Sequence, residues 1–269
     1  MGKVIEFVYF IRDVMNSRNI IRKLSVNDFK ARYAGSFFGI IWAFIQPLIT
    51  LLVLWFVFQI GFKTQPIQNV PFFLWLAAGY ISWSFFSDAF SNSSQSLMEY
   101  SFLVKKVVFR TAILPIVKTI SSLYVHLFFL LFIFILLIFY NYPLSVYNLQ
   151  VFYYLFLNIM LILGLSWLFS AFSVFFKDTL QVINLILQIG FWATPIFWST
   201  EFLPKNYLFI AKLNPMFYIV QGYRDSFIYH NWFWERPLST IYFLALTIII
   251  FITGAIVFRK LRPHFADVL

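Results

Sequence analysis

Cysteine is absent from the 269-residue sequence, which excludes disulfides, thiol catalysis and cysteine-based metal sites. Glycine is sparse: nine residues are scattered along the chain, and no GxxxxGKS/T occurs. Without that loop to cradle phosphates, the chain does not hydrolyse ATP by the usual route. The three histidines, His126, His230 and His264, fall in separate regions with no HExxH and no carboxylate pairing, so metal or triad chemistry finds no footing. Charge is scarce too, at 11% of residues against about 25% in an ordinary soluble domain. Residues 1–30 carry charge throughout and lack an apolar stretch, so no cleavable signal peptide is expected there.

What is present is apolar and aromatic. Hydrophobic residues make up 62% of the chain, including 38 Phe, 15 Tyr and 9 Trp. One soluble core cannot bury that much apolar surface, whereas a bilayer serves as its solvent. Six runs are candidates for spanning helices: about 37–60, 72–94, 113–140, 151–175, 179–199 and 238–258. The net charge is +10, but the basic residues sit between these runs rather than along an arm or stripe. They read as topology signals and not as a nucleic-acid surface. Fourteen Lys and Arg fall on one side (seven in 1–36, three in 95–112, Lys177 and three in the tail) against five on the other, which predicts both termini in the cytoplasm. Lys118, near the start of the third run, is left outside that count. Over 3–24, Val4, Phe7, Val8, Ile11, Val14 and Met15 recur at helical spacing, predicting an amphipathic helix along the interface. Residues 200–237, rich in aromatics and broken at Pro204 and Asn214-Pro215, predict an extracellular re-entrant helical hairpin. The expected fold is all-α and integral to the membrane, with six transmembrane helices in one domain over 1–269.

Three polar stripes interrupt the apolar runs. In the second, Ser84, Asp88, Ser91, Asn92 and Gln95 share one helical face. A carboxylate at membrane depth faces protein or water, and the stripe reads as a helix–helix hydrogen-bond seam in preference to a path lining. In the fifth, Gln181, Asn184, Gln188, Trp192 and Pro195 align; amides bond hydroxyls and indole faces suit sugar rings, so path lining and packing both stand. Trp42, Gln46 and Thr50 form a shorter stripe in the first, beside Pro47. Gly35 and Gly39 make a GxxxG whose ordinary meaning is close helix packing. The connection 97–110 mixes Leu97, Glu99, Tyr100 and Phe102 with Lys105 and Lys106. It reads either as an interfacial segment held by snorkelling cations or as a coupling helix seated in a soluble partner.

Several blocks carry a resemblance. They are Tyr33–Pro47 (YAGSFFGIIWAFIQP), Val70–Gly79 (VPFFLWLAAG), Phe176–Thr179 (FKDT), Asn214–Asp225 (NPMFYIVQGYRD) and the tail Arg262–Leu269 (RPHFADVL). With these the chain resembles the ABC-2-type permeases that export envelope polysaccharides. The Asn214 block, Tyr229-His230 and the Phe265-Ala-Asp tail tilt the resemblance toward the teichoic acid translocation permeases of Gram-positive bacteria.

The resemblance implies a homodimer in the cell membrane, paired with two nucleotide-binding ATPase subunits that hold ATP and Mg, so this chain needs no cofactor and is no enzyme by itself. It implies that the interface helix and the 97–110 connection meet those subunits, and that first and fifth spans line the path. It further implies that the external hairpin forms an outer gate. Trp42, Gln46, Thr50, Gln181, Asn184, Gln188 and Trp192 are the path candidates. Lys30, Arg32 and Lys105 are candidates to receive a lipid-linked diphosphate at the cytoplasmic mouth, although setting topology needs no further function and is the preferred single explanation for them. The expected cargo is an undecaprenyl-diphosphate-linked wall teichoic acid. The alternatives are another polysaccharide, such as O-antigen or capsule, an integral-membrane transferase, or a scaffold with no transport role.

Overall fold

The computed structural model describes residues 17–64, 70–106 and 109–269. The expected interface helix over 3–24 therefore lies mostly outside the described residues, as do positions 107 and 108 of the 97–110 connection. The described chain is helical, with α1 (Arg18–Arg32), α2 (Trp42–Trp55), α3 (Phe72–Glu99), α4 (Ser101–Val104), α5 (Ile113–Phe139) and α6 (Val151–Phe175) in order. There follow α7 (Thr179–Ala193), α8 (Lys205–Leu213), α9 (Pro215–Arg224), α10 (Pro237–Leu261) and α11 (Phe265–Val268). Among the described residues there is no β-sheet.

Four stretches are long and apolar enough to cross a membrane: Gly39–Gly61, Ile113–Phe139, Val146–Phe175 and Pro237–Val268. The first includes α2, a 3-10 turn before it and a π turn, Phe56–Gly61, after it. Helix α3 has the length, at 28 residues, but its polar stripe lowers its hydropathy below theirs. It runs through the middle of the molecule, packed against α5 and α6, and most of its side chains are buried. Helix α7 is apolar but has only 15 residues, which is about 22 Å of helix.

Its early end has a local cause. Apolar residues continue toward 199, but Thr194 takes an extended conformation before Pro195, whose ring disfavours helix in the residue ahead of it. The chain resumes as helix after Pro204, and again at α9, where the Asn214 side chain accepts from the Met216 N–H at 3.0 Å and Pro215 occupies the first turn.

Helix α1 differs from a helix lying with an apolar stripe on lipid. Its buried face is Ile21, Ser25 and Asp28, at i, i+4 and i+7, and that face docks on α5. Helices α6 and α10 cross at glycines: a Cβ on Gly254 would sit 2.1 Å from the carbonyl oxygen of Gly164. Small residues at such a crossing allow backbone contact, the principal packing force available between helices in lipid.

Candidate functional site

The polar stripes, separate in sequence, meet in space. An open cavity of about 630 Å³ is walled by α2, α3, α5 and α7. Trp42, Gln46 and Thr50 enter it from successive turns of α2, and Asn184 and Gln188 from one face of α7. Pro47 cannot donate to the Ala43 carbonyl, which loosens the ladder of α2 beside the cavity. Thr50 Oγ1 donates to the Gln46 carbonyl at 3.1 Å. Two path candidates lie elsewhere. Gln181 is exposed in the first turn of α7 and does not line the cavity, and Trp192 packs edge-on against Phe191 and Phe197 beyond it.

Ser84, Asp88, Ser91 and Asn92 of α3 also stand on the cavity wall. That corrects the expectation of a packing seam. The buried serines of α3 are others, Ser82, Ser93, Ser94 and Ser96, and the seam runs through Ser93 and Ser94. Ser93 Oγ bonds with Thr119 and with the Pro115 carbonyl of α5, and Ser173 Oγ of α6 donates to the Ser94 carbonyl. Helical spacing identified a polar face without saying whether that face or the serines outside it met protein.

Beside the cavity lies a charge network that spacing could not reveal. Lys118 Nζ, buried near the start of α5, pairs with Asp28 at 2.7 Å and with Glu99 at the end of α3. Arg32 Nε donates to Asp28 at 3.2 Å, and its Nη1 to Asp88 at 3.3 Å and Ser122 at 3.4 Å. Tyr100 donates its hydroxyl to Asp28 at 2.8 Å. Burial pushes the Asp28 carboxyl up, but the Lys118 ammonium, aided by Arg32, outweighs it and holds the group below the ordinary 3.8. Burial and the same carboxylate push the Tyr100 phenol up.

The network joins α1, α3, α5 and the segment after α3, so Glu99 and Tyr100 link that segment to the cavity wall. The other coupling candidates are arranged differently: Leu97 is buried, whereas Phe102, Lys105 and Lys106 are exposed. Among the diphosphate candidates, Lys30 and Lys105 are exposed, while Arg32 is half-buried and already bound to two carboxylates. The signal for Lys118 was available in sequence, since a lysine inside an apolar run implies an acidic partner.

Toward α9, the cavity is bounded by rings. Trp83 and Phe191 meet at 6.2 Å, Phe191 and Phe197 at 5.5 Å, and Phe197 stacks on Phe58 at 4.8 Å. Past them Arg224 of α9 is buried, with Nη1 and Nη2 donating to the carbonyls of Pro195 and Ile196 at 2.7 and 2.8 Å, and its guanidinium 3.4 Å over the Trp75 ring. A second cavity of about 820 Å³ opens there beside α8 and α9, bordered by Tyr154, Gln221 and Trp232. Among the described residues no group of three potential metal ligands converges.

Comparison with known proteins places this geometry in context. Residues 21–228 match the family described as ABC-2 type transporter. An O-antigen export system permease protein RfbA of Klebsiella pneumoniae is 28% identical over 250 residues, covering 90% of this chain and 92% of that one. A protein of the same name from Myxococcus xanthus is 24% identical over 263 residues, covering 97% of this chain and 99% of its own.

Proposed function

This chain belongs to the ABC-2 type transporter family, and from that premise we propose that it is the membrane subunit of an ABC exporter carrying a lipid-linked envelope polymer from cytoplasm to cell surface. The observation that carries the reading is the convergence of Trp42, Gln46, Asn184 and Gln188 with the α3 stripe in one open cavity. Exposed amides there need water, substrate or another protein surface.

In this reading α3 and α7 join the four long apolar helices as spans, the termini are cytoplasmic, and α8 and α9 form a re-entrant outer gate. ABC-2 permeases work with an ATPase subunit, so ATP and Mg belong to that partner, present in two copies, and this chain carries no cofactor. A second copy of the permease completes the path along α2 and α7. The 97–110 connection and the N-terminal helix receive the ATPase stroke, and the charge network relays it to Asp88. Exposed Lys30 and Lys105 meet the undecaprenyl diphosphate.

Two cargoes compete. Wall teichoic acid in a Gram-positive cell is supported by the Asn214–Asp225 block and the Phe265-Ala-Asp tail. An O-antigen polysaccharide is supported by the names of relatives that align with nine-tenths or more of the chain. Deleting the ATPase partner should trap lipid-linked polymer inside the cell, and the chemistry of the trapped repeat, polyol phosphate or neutral sugar, separates the cargoes. Unchanged surface polymer after deletion would exclude the exporter reading.

A further inference from the structure

The charges around the inner cavity bear on which chain it takes. Among the described residues that line it, Asp88 is the one acid, and there is no lysine or arginine. The remaining polar lining is amide and hydroxyl, with the Trp42 indole 41% exposed beside Gln46, and one imidazole, His126, which is buried, stacked on Phe85 and bonded to the Tyr223 hydroxyl at 2.9 Å. The nearest described cation, Arg32, is not on the wall. Its N–H groups are engaged by Asp28, Asp88, Ser122 and the Lys118 carbonyl. Asp88 itself is held by Arg32 from behind and by the Asn92 amide, which donates to it at 2.8 Å. A second copy related by twofold symmetry would bring the same lining, doubling the carboxylate and adding no lysine or arginine.

Proteins that hold phosphate supply arginine or lysine, because a phosphate stripped of water needs charge-assisted donors. A cavity with low-dielectric walls strengthens repulsion between a fixed carboxylate and a polyanion. Sugars need what is present: amides and hydroxyls that donate and accept, and an amphipathic ring.

We propose that the inner cavity selects an uncharged, hydroxyl-rich chain over a polyanionic one, with Asp88 as the specificity-determining carboxylate. The inference rests on the exporter reading for its biological meaning and decides between the two cargoes on charge. The diphosphate of the lipid stays with the exposed lysines at the mouth, and the wall discriminates on the polymer behind it.

The test uses the purified complex of this chain with its ATPase partner and two soluble probes, a neutral chitohexaose and a glycerol-phosphate hexamer, titrated by calorimetry. The wild-type complex is expected to bind the neutral probe at least about tenfold more tightly, a difference of about 1.4 kcal/mol. Asp88→Asn removes the wall carboxylate and should narrow that ratio. Gln188→Lys keeps the Arg32–Asp88 pair, adds a base on the opposite wall, and should narrow it independently. Equal binding, preference for the phosphate probe, or no binding of either by the wild type overturns the proposal. So does an unchanged ratio in both variants when their melting temperatures match the wild type. ATP hydrolysis is followed in parallel. A complex that binds with the expected ratio, yet neither accelerates ATP turnover nor transports lipid-linked polymer, refutes export and leaves the charge preference standing.

Discussion

Lys118 is buried in an otherwise apolar run, and its stability depends on the carboxylates around it. Lys118→Met removes one of two cations on Asp28 and leaves it Arg32 and the Tyr100 hydroxyl, so it should cost about 1.5–3 kcal/mol, the worth of a charge-assisted bond, read as a lower melting temperature in detergent. The pH dependence has a definite sign. The folded Asp28 value lies below its unfolded value, so its contribution is full above the ordinary 3.8 and is lost as pH falls through the depressed folded value. Acid melting curves of Asp28→Asn should therefore be shallower than wild type in that window; parallel curves would contradict the assignment. The apolar run around Lys118 marked it in sequence as needing an acid, but which acids was not legible, because Asp28, Asp88, Glu99 and Lys118 come from three helices and helical spacing reports only one helix at a time. Arg32 was visible as a cation, but not as one already bound to two acids.

At the scale of elements, α2 and α7 present amides toward open space while the helices behind them are packed. Their stripes were readable because a period of 3.6 places Trp42 with Gln46 and Asn184 with Gln188. Which end of each stripe reached the cavity was not readable. Gln181 and Trp192 fall at either end of α7, where the cavity stops and the phenylalanine layer begins. Gln188→Ala should accordingly slow polymer export about tenfold or more in a surface-polymer assay, while Gln181→Ala should be close to neutral, since only Gln188 touches the cavity lumen. Tyr100→Phe keeps the ring and removes its bond to Asp28. In the complex it should leave ATP hydrolysis running while export falls, a ratio obtained by measuring both in the same proteoliposomes.

Across the whole molecule, α6 and α10 are joined where Gly254 lies against the Gly164 carbonyl. Gly254→Ala has no flexible neighbour to displace, so the helices must part, and a loss of about 1–3 kcal/mol is expected in thermal unfolding. The six apolar runs made the helical, membrane-embedded class legible from composition alone. The premature end of α7 was marked only by Thr194-Pro195, and the guanidinium that repairs it lies about thirty residues on. That repair has a mechanical consequence. Two carbonyls just past the break at Pro195 are satisfied by Arg224 of α9, which is buried, so losing that donor leaves them unpaired away from water. Helix α9 cannot move away alone without abandoning those carbonyls. It must travel with the end of α7 as a single lever arm, so any displacement of α9 also tilts the wall bearing Asn184 and Gln188.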